Sequence, residues 1–164
     1  MSAVTVELPD AESTRALGER LAALLRAGDL VVLTGGLGAG KTTLTQGIGA
    51  GLGVRGQVAS PTFIIARVHP STGAGPALVH VDAYRLTSLA EVDALDLDAS
   101  LDESVTVVEW GSGLVEDLAE DRLEVEVVRP RGDDADVPRR AVVRPVGVRW
   151  ADVDLSALAA GATA

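Results

Sequence analysis

The chain of 164 residues contains no cysteine, which removes disulfides, thiolate metal sites and thiol nucleophiles together and is compatible with a reducing cytosol. No long apolar run is present: charges or glycines interrupt each one well before the roughly twenty residues a membrane helix needs, and no basic-then-apolar segment opens the chain. The protein therefore reads as cytoplasmic, with no membrane partner. Positive charge is scarce as well. Fourteen lysines and arginines face 24 acidic residues, for a formal net charge of −10, so a broad electrostatic grip on a nucleic-acid backbone is repelled and strong direct nucleic-acid binding is not expected, a local basic face aside. Aromatic residues make up 2% of the chain.

What is present fits one domain: the length and a 47% hydrophobic content support a proper core, and a second full domain has no room. Thirteen of the 14 basic residues are arginine, and the single lysine is Lys41. A lysine ammonium is a compact point charge that fits inside a tight backbone loop, where a planar guanidinium does not.

Residues 4–8 alternate apolar with polar and predict an edge strand that ends at Pro9. Asp10 then caps an amphipathic helix over residues 11–27, stopped by Gly28. Residues 30–33 are a continuous apolar run, as expected of a central strand buried on both faces. A glycine-rich loop follows, then a helix over residues 41–52. Ser60-Pro61-Thr62 is a loop, and further strands are expected over 63–68, 77–81 and 105–108. Ser88 and Glu91 form a capping box for a short helix through 95, and another short helix is expected over 114–119. Residues 123–128 and 141–146 predict two strands joined by a polar loop. The pattern is an α/β P-loop NTPase-type three-layer fold, with a mostly parallel central sheet and antiparallel C-terminal strands. It forms a single domain over residues 1–150, and 151–164 is a tail that starts helical and frays.

Gly35-Gly36-Leu37-Gly38-Ala39-Gly40-Lys41-Thr42 satisfies G-x-x-x-x-G-K-[ST], with a buried strand before it and a helix after it. Glycines let the backbone wrap an anion without Cβ clashes, so the amides of Leu37, Gly38, Ala39 and Gly40 converge on a phosphate at the positive end of the helix. Lys41 would reach the β- and γ-phosphates, the Thr42 hydroxyl would ligate the bridging magnesium, and Thr43 would lie near the α-phosphate. A second string, Gly51-Leu52-Gly53-Val54-Arg55-Gly56, fits G-x-G-x-x-G but follows a helix instead of opening one, so it reads as a helix stop.

A P-loop also needs a carboxylate at the end of a neighbouring strand to hold the metal. Glu109, after Val105-Thr106-Val107-Val108, is the metal-side acid. Asp82, after Val81, is a second acid near the metal or the attacking water, and the two can exchange roles. Ser60 and Thr62 lie where P-loop proteins often place a γ-phosphate-sensing segment, although a structural turn fits the same residues. His80 reads as a hydrogen-bonded strand histidine. Tyr84 and Arg85 fit a site wall or a partner surface, and Trp110 fits core or contact.

Four stretches in order, Gly38-Ala39-Gly40-Lys41-Thr42-Thr43, Ser60-Pro61-Thr62-Phe63, His80-Val81-Asp82-Ala83-Tyr84-Arg85-Leu86 and Val108-Glu109-Trp110, resemble the TsaE (YjeE) family, the ATPase of bacterial tRNA threonylcarbamoyladenosine formation. Generic P-loop proteins share only the first. The resemblance implies ATP with Mg2+ as cofactors and the TsaD and TsaB proteins as partners. Hydrolysis would support transfer of threonylcarbamoyl to adenosine 37 of tRNAs reading codons that start with A, with the transfer chemistry belonging to TsaD. It implies phosphate and metal roles for Lys41 and Thr42, a metal role for Glu109, active-site environment for Asp82 and Thr62, and an approach to the base by Asp10 and by the arginines at 129–131, Arg131 among them. Family members usually carry an acid where this chain has Gly36 and commonly proline where it has Gly111. Two other readings of the loop remain: a small-molecule kinase with Arg129, Arg131, Arg139 and Arg140 as a lid, and an ATP-gated docking module that needs no hydrolysis.

Overall fold

Apolar runs without alternation belong in the middle of a sheet, and the computed structural model places them there. It describes residues 3–35, 40–54, 66–73, 75–82, 103–109, 121–128, 139–156 and 158, with residues 66, 67 and 82 described by backbone alone. In chain order the elements are β1 (Val4–Leu8), α1 (Ala11–Leu24), β2 (Leu30–Gly35), α2 (Lys41–Leu52), β3 (Ala66–His69), β4 (Ala77–Asp82), β5 (Ser104–Glu109), β6 (Arg122–Val128) and β7 (Arg139–Val146). A 3-10 turn, Val148–Trp150, follows β7.

The seven strands form one sheet in the order β1-β7-β6-β2-β5-β4-β3. The central strands β6, β2, β5 and β4 are mutually parallel, while β6–β7, β7–β1 and β3–β4 pair antiparallel. This is the α/β P-loop architecture expected from the sequence, with β1 at an edge and the C-terminal strands antiparallel. Every residue of β5 is buried, whereas β6 alternates buried with half-buried residues. That difference follows from position, since β6 borders the antiparallel flank.

One face of the sheet packs on the helices. Val31, Leu33, Leu78, Val105, Val107, Leu123 and Val125 meet Leu17 and Leu21 of α1 and Leu44 and Ile48 of α2 in a single core. The two helices are in near-backbone contact, because Gly18 and Gly47 lack side chains: a Cβ on Gly47 would collide with the Arg15 carbonyl oxygen, and one on Gly18 with that of Leu44.

Two differences from the sequence reading have local causes. Helix α1 stops at Leu24 instead of 27, since Leu25 turns to extended backbone (φ −85°, ψ 145°) and is drawn into the core. Asp29 then binds the Arg26 amide at 2.8 Å, which closes the turn into β2. At the other end of the chain Trp150, Leu155 and Leu158 are core residues, each leucine worth roughly 2 kcal/mol of burial. The helices expected over 88–95 and 114–119 lie outside the described residues.

Candidate functional site

In a parallel sheet the carboxyl ends of the strands leave a crevice where loops diverge, and ligands of α/β proteins bind there. Here β2 ends in Gly35, β4 in Asp82 and β5 in Glu109. The register sets Leu33 beside Glu109 and Asp82 beside Glu109, so Glu109 flanks the strand that leads into the glycine-rich loop and Asp82 lies one strand further out. Both lie at strand ends, as expected from the sequence.

Gly40 sits at the N-cap of α2 with φ +114°, a left-handed conformation that glycine adopts at little cost. Gly40 offers no side-chain cap, and because the first amides of an α-helix lack an intrahelical acceptor, the start of α2 suits an anion at the positive end of the helix dipole. Lys41 is 7% exposed, and its Nζ donates to the Gly35 carbonyl oxygen at 3.0 Å. The ammonium therefore closes the loop at its base, joining the end of β2 to the start of α2. Thr42 and Thr43 are half-buried.

Glu109 is almost fully buried (3% exposed). Its Oε2 accepts from His80 Nε2 at 3.2 Å, so the strand histidine is hydrogen-bonded as expected, and its partner is the acid proposed for the metal. Asp10 is the N-cap of α1: its Oδ1 accepts from both the Ser13 amide and the Ser13 hydroxyl at 2.7 Å. These bonds, the hydroxyl's first, hold its carboxyl below the ordinary value of 3.8. One turn on, the Thr14 methyl lies 3.8 Å from the position of a Cβ on Gly40, so the first turn of α1 borders the loop.

Arg139, at the start of β7, brings Nη1 to 4.0 Å from that same Cβ position. Sequence alone does not distinguish it from Arg129, Arg131 and Arg140, and the antiparallel return of β7 beside β6 singles it out. Leu37, Gly38, Ala39, Thr62 and Arg131 lie outside the described residues, as do Tyr84, Arg85 and Trp110. For Asp82 the backbone position is described.

The donors suit a hard divalent cation. Among the described residues no group of three or more His, Asp and Glu could hold a metal alone. The Thr42 hydroxyl and the Glu109 carboxylate instead offer two hard oxygens, which matches magnesium, an ion that takes one or two protein ligands and completes its shell with phosphate oxygens and water.

The family model described as "Threonylcarbamoyl adenosine biosynthesis protein TsaE" matches residues 8–139. The chain belongs to the TsaE family. A TsaE relative in Streptomyces coelicolor is 65% identical over 146 residues, covering 88% of this chain and 99% of that protein. One in Bacillus subtilis is 38% identical over 136 residues, covering 80% and 81%. A crystal structure of Bacillus subtilis YdiB superposes with a TM-score of 0.70 at 28% identity, over 99% of this chain and 95% of that one. Each TsaE relative is named as a tRNA threonylcarbamoyladenosine biosynthesis protein. Among the described residues no helix is long and apolar enough to cross a membrane.

Proposed function

We propose that this TsaE-family chain binds ATP with Mg2+ at the carboxyl ends of β2, β4 and β5. In this reading it hydrolyses ATP as the energy-supplying component of a TsaD–TsaB–TsaE machinery that forms N6-threonylcarbamoyladenosine at position 37 of tRNAs reading A-starting codons. The observation that carries the reading is the Lys41 ammonium folded onto the Gly35 carbonyl at the start of α2, with the buried acid Glu109 ending β5, the strand beside β2.

The chemistry follows from the residues. The amides of residues 41–43 bind phosphate oxygens, and Lys41 exchanges its carbonyl partner for the β- and γ-phosphates, a stronger charge-assisted contact. Thr42 and Glu109 hold the metal side of the nucleotide. Magnesium, when bound, neutralises charge on the phosphate oxygens. Asp82, beside Glu109 in the sheet, orients the attacking water, and Thr62 contributes to the γ-phosphate environment. Asp10 and Arg131 border the base. Charge that develops on the transferred phosphoryl group is met by donors already fixed in place, the usual source of catalysis in this chemistry. The acidic net charge leaves tRNA contact to the partners, in the cytoplasm.

The test is Lys41→Ala. Losing a charge-assisted contact of roughly 1.5–3 kcal/mol should weaken ATP binding about tenfold or more and abolish phosphate release. Unchanged affinity and rate would refute the site. Pull-down of TsaD and TsaB with and without ATP, followed by assay of the modified nucleoside, tests the assignment to that machinery. Efficient phosphorylation of a metabolite would overturn it.

A further inference from the structure

A buried histidine in an apolar sheet face needs an explanation. His80 is fully buried on β4 and stands opposite Val107 of β5. Leu78, Val105 and Val107, all buried core residues, share its face of the sheet. Its one hydrogen bond among the described residues runs diagonally along that face, from Nε2 to Glu109 Oε2 at 3.2 Å, while Nδ1 has no hydrogen-bond partner there.

We propose that His80 is the positioning residue for Glu109, tethering one carboxylate oxygen so that the other is presented to the metal in a fixed orientation. This inference rests on the nucleotide–magnesium reading of the site.

The donor and acceptor roles follow from chemistry. An ionised carboxylate only accepts, so Nε2 carries the hydrogen, and in the neutral ring Nδ1 is then an acceptor. A buried acceptor without a partner is a smaller penalty than a buried N–H without one, which favours this tautomer. Glutamate has three rotatable bonds, and at a strand end it borders the crevice. Its placement there is a matter of entropy as well as contact, and a single buried donor that binds Oε2 removes much of that freedom. Partners of this kind behind a metal-binding side chain typically change metal affinity 10–100-fold when lost.

The alternative is that His80 only fills space and carries an incidental hydrogen bond. Comparing Gln and Asn at position 80 separates the two. The Gln side-chain nitrogen reaches about as far as Nε2, and that of Asn only as far as Nδ1. Asn leaves the larger cavity, so a mere filling role lowers Tm more in His80→Asn but gives the two variants the same magnesium dependence.

The measurement is ADP binding by titration calorimetry, with magnesium and with chelator, on wild type, His80→Gln and His80→Asn, together with Tm without ligand. The expected result is that chelated ADP binds all three proteins within about twofold. The gain on adding magnesium should survive in His80→Gln to within about threefold and fall at least about tenfold in His80→Asn. Equal metal dependence in the two variants, or loss of metal-free binding in step with it, overturns the tether. If His80→Asn does not fold, His80→Gln alone decides, since a tether requires it to keep the magnesium gain. Wild type that binds ADP without any magnesium dependence also overturns the tether and leaves the phosphate loop standing. Wild type that binds no nucleotide refutes the site reading itself.

Discussion

The two ends of β2 each bury a carboxylate, and they treat it in opposite ways. At the amino end, Asp29 accepts from Arg149 Nε at 3.1 Å and Nη2 at 3.0 Å and from the Arg26 amide at 2.8 Å. Arg149 also donates to the Leu24 carbonyl at 2.9 Å and lies 4.1 Å from the centroid of the Trp150 ring. Both carboxylate oxygens are satisfied inside the protein, and Nε and Nη2 of the guanidinium are committed to them and to the Leu24 carbonyl. At the carboxyl end, Glu109 has one hydrogen bond among the described residues, from a histidine. The closed end fastens the C-terminal segment to α1 and β2, and the open end keeps a buried carboxylate under-coordinated. Burying a charge without a full set of partners costs stability, and function is the common reason for accepting that cost.

The largest effect belongs to the closed end. Arg149→Met leaves Asp29 buried without its counter-charge and should cost about 3–5 kcal/mol, read by urea unfolding. Asp29→Leu combined with Arg149→Met should recover much of it, since replacing both partners with apolar groups is often close to neutral. Nucleotide affinity of the folded fraction should stay unchanged in both. A fall in affinity without a fall in stability would mean that the two ends are not separable.

Next in size is Gly47→Ala. The added methyl meets the backbone of Arg15, which cannot give way as a side-chain end can, so α1 and α2 must part at a cost of about 1–3 kcal/mol. Because α1 borders Gly40 and α2 starts at Lys41, this change should also weaken nucleotide binding, unlike Arg149→Met. Stability within about 0.5 kcal/mol of wild type would show that the helices are less tightly seated than their spacing implies.

Amidation of the two acids gives the sharpest contrast. Asp29→Asn weakens a bidentate ion pair and should destabilise. Glu109→Gln removes an under-partnered buried charge, so the ligand-free protein should keep its stability to within about 1 kcal/mol or gain some, while the magnesium-dependent part of ADP binding is lost. Comparable destabilisation by both substitutions would erase the distinction between an open and a closed end.

The same contrast explains what the sequence made legible. The open end is built from short-range signals. The G-x-x-x-x-G-K-[ST] string, the lone lysine at 41 and acids that terminate apolar runs at 82 and 109 can all be read because each depends on its immediate neighbours and on strand polarity. Strands β1, β2, β4 and β5 and helix α2 follow from the same local patterns. The closed end depends on contacts between residues 120 positions apart, and no periodicity pairs Asp29 with Arg149. His80 falls between these cases. Its strand and its need for a hydrogen bond are local properties, but its partner depends on the register of β4 against β5, 29 residues away in sequence. Arg139 likewise reaches Gly40 only because β7 returns antiparallel to β6.

The smallest effect concerns the border of the open end. Asp10 caps α1 through Ser13, and those hydrogen bonds lower its carboxyl pKa. A lowered folded-state value means that the cap's contribution is complete above the ordinary carboxylate value of 3.8 and is lost as pH falls through the lowered one. Asp10→Ala should lower Tm slightly at neutral pH, and the gap to wild type should narrow as acid protonates the cap. The screening expected at an exposed site keeps the shift small. Asp10→Ser, an equally good neutral N-cap, should retain most of the stability and remove its dependence on pH in that range. If Asp10→Ser restores the melting temperature yet weakens ADP binding as strongly as Asp10→Ala does, then Asp10 serves the nucleotide directly. If binding recovers with the cap, its part in the open end is to hold the first turn of α1, with Thr14, against Gly40.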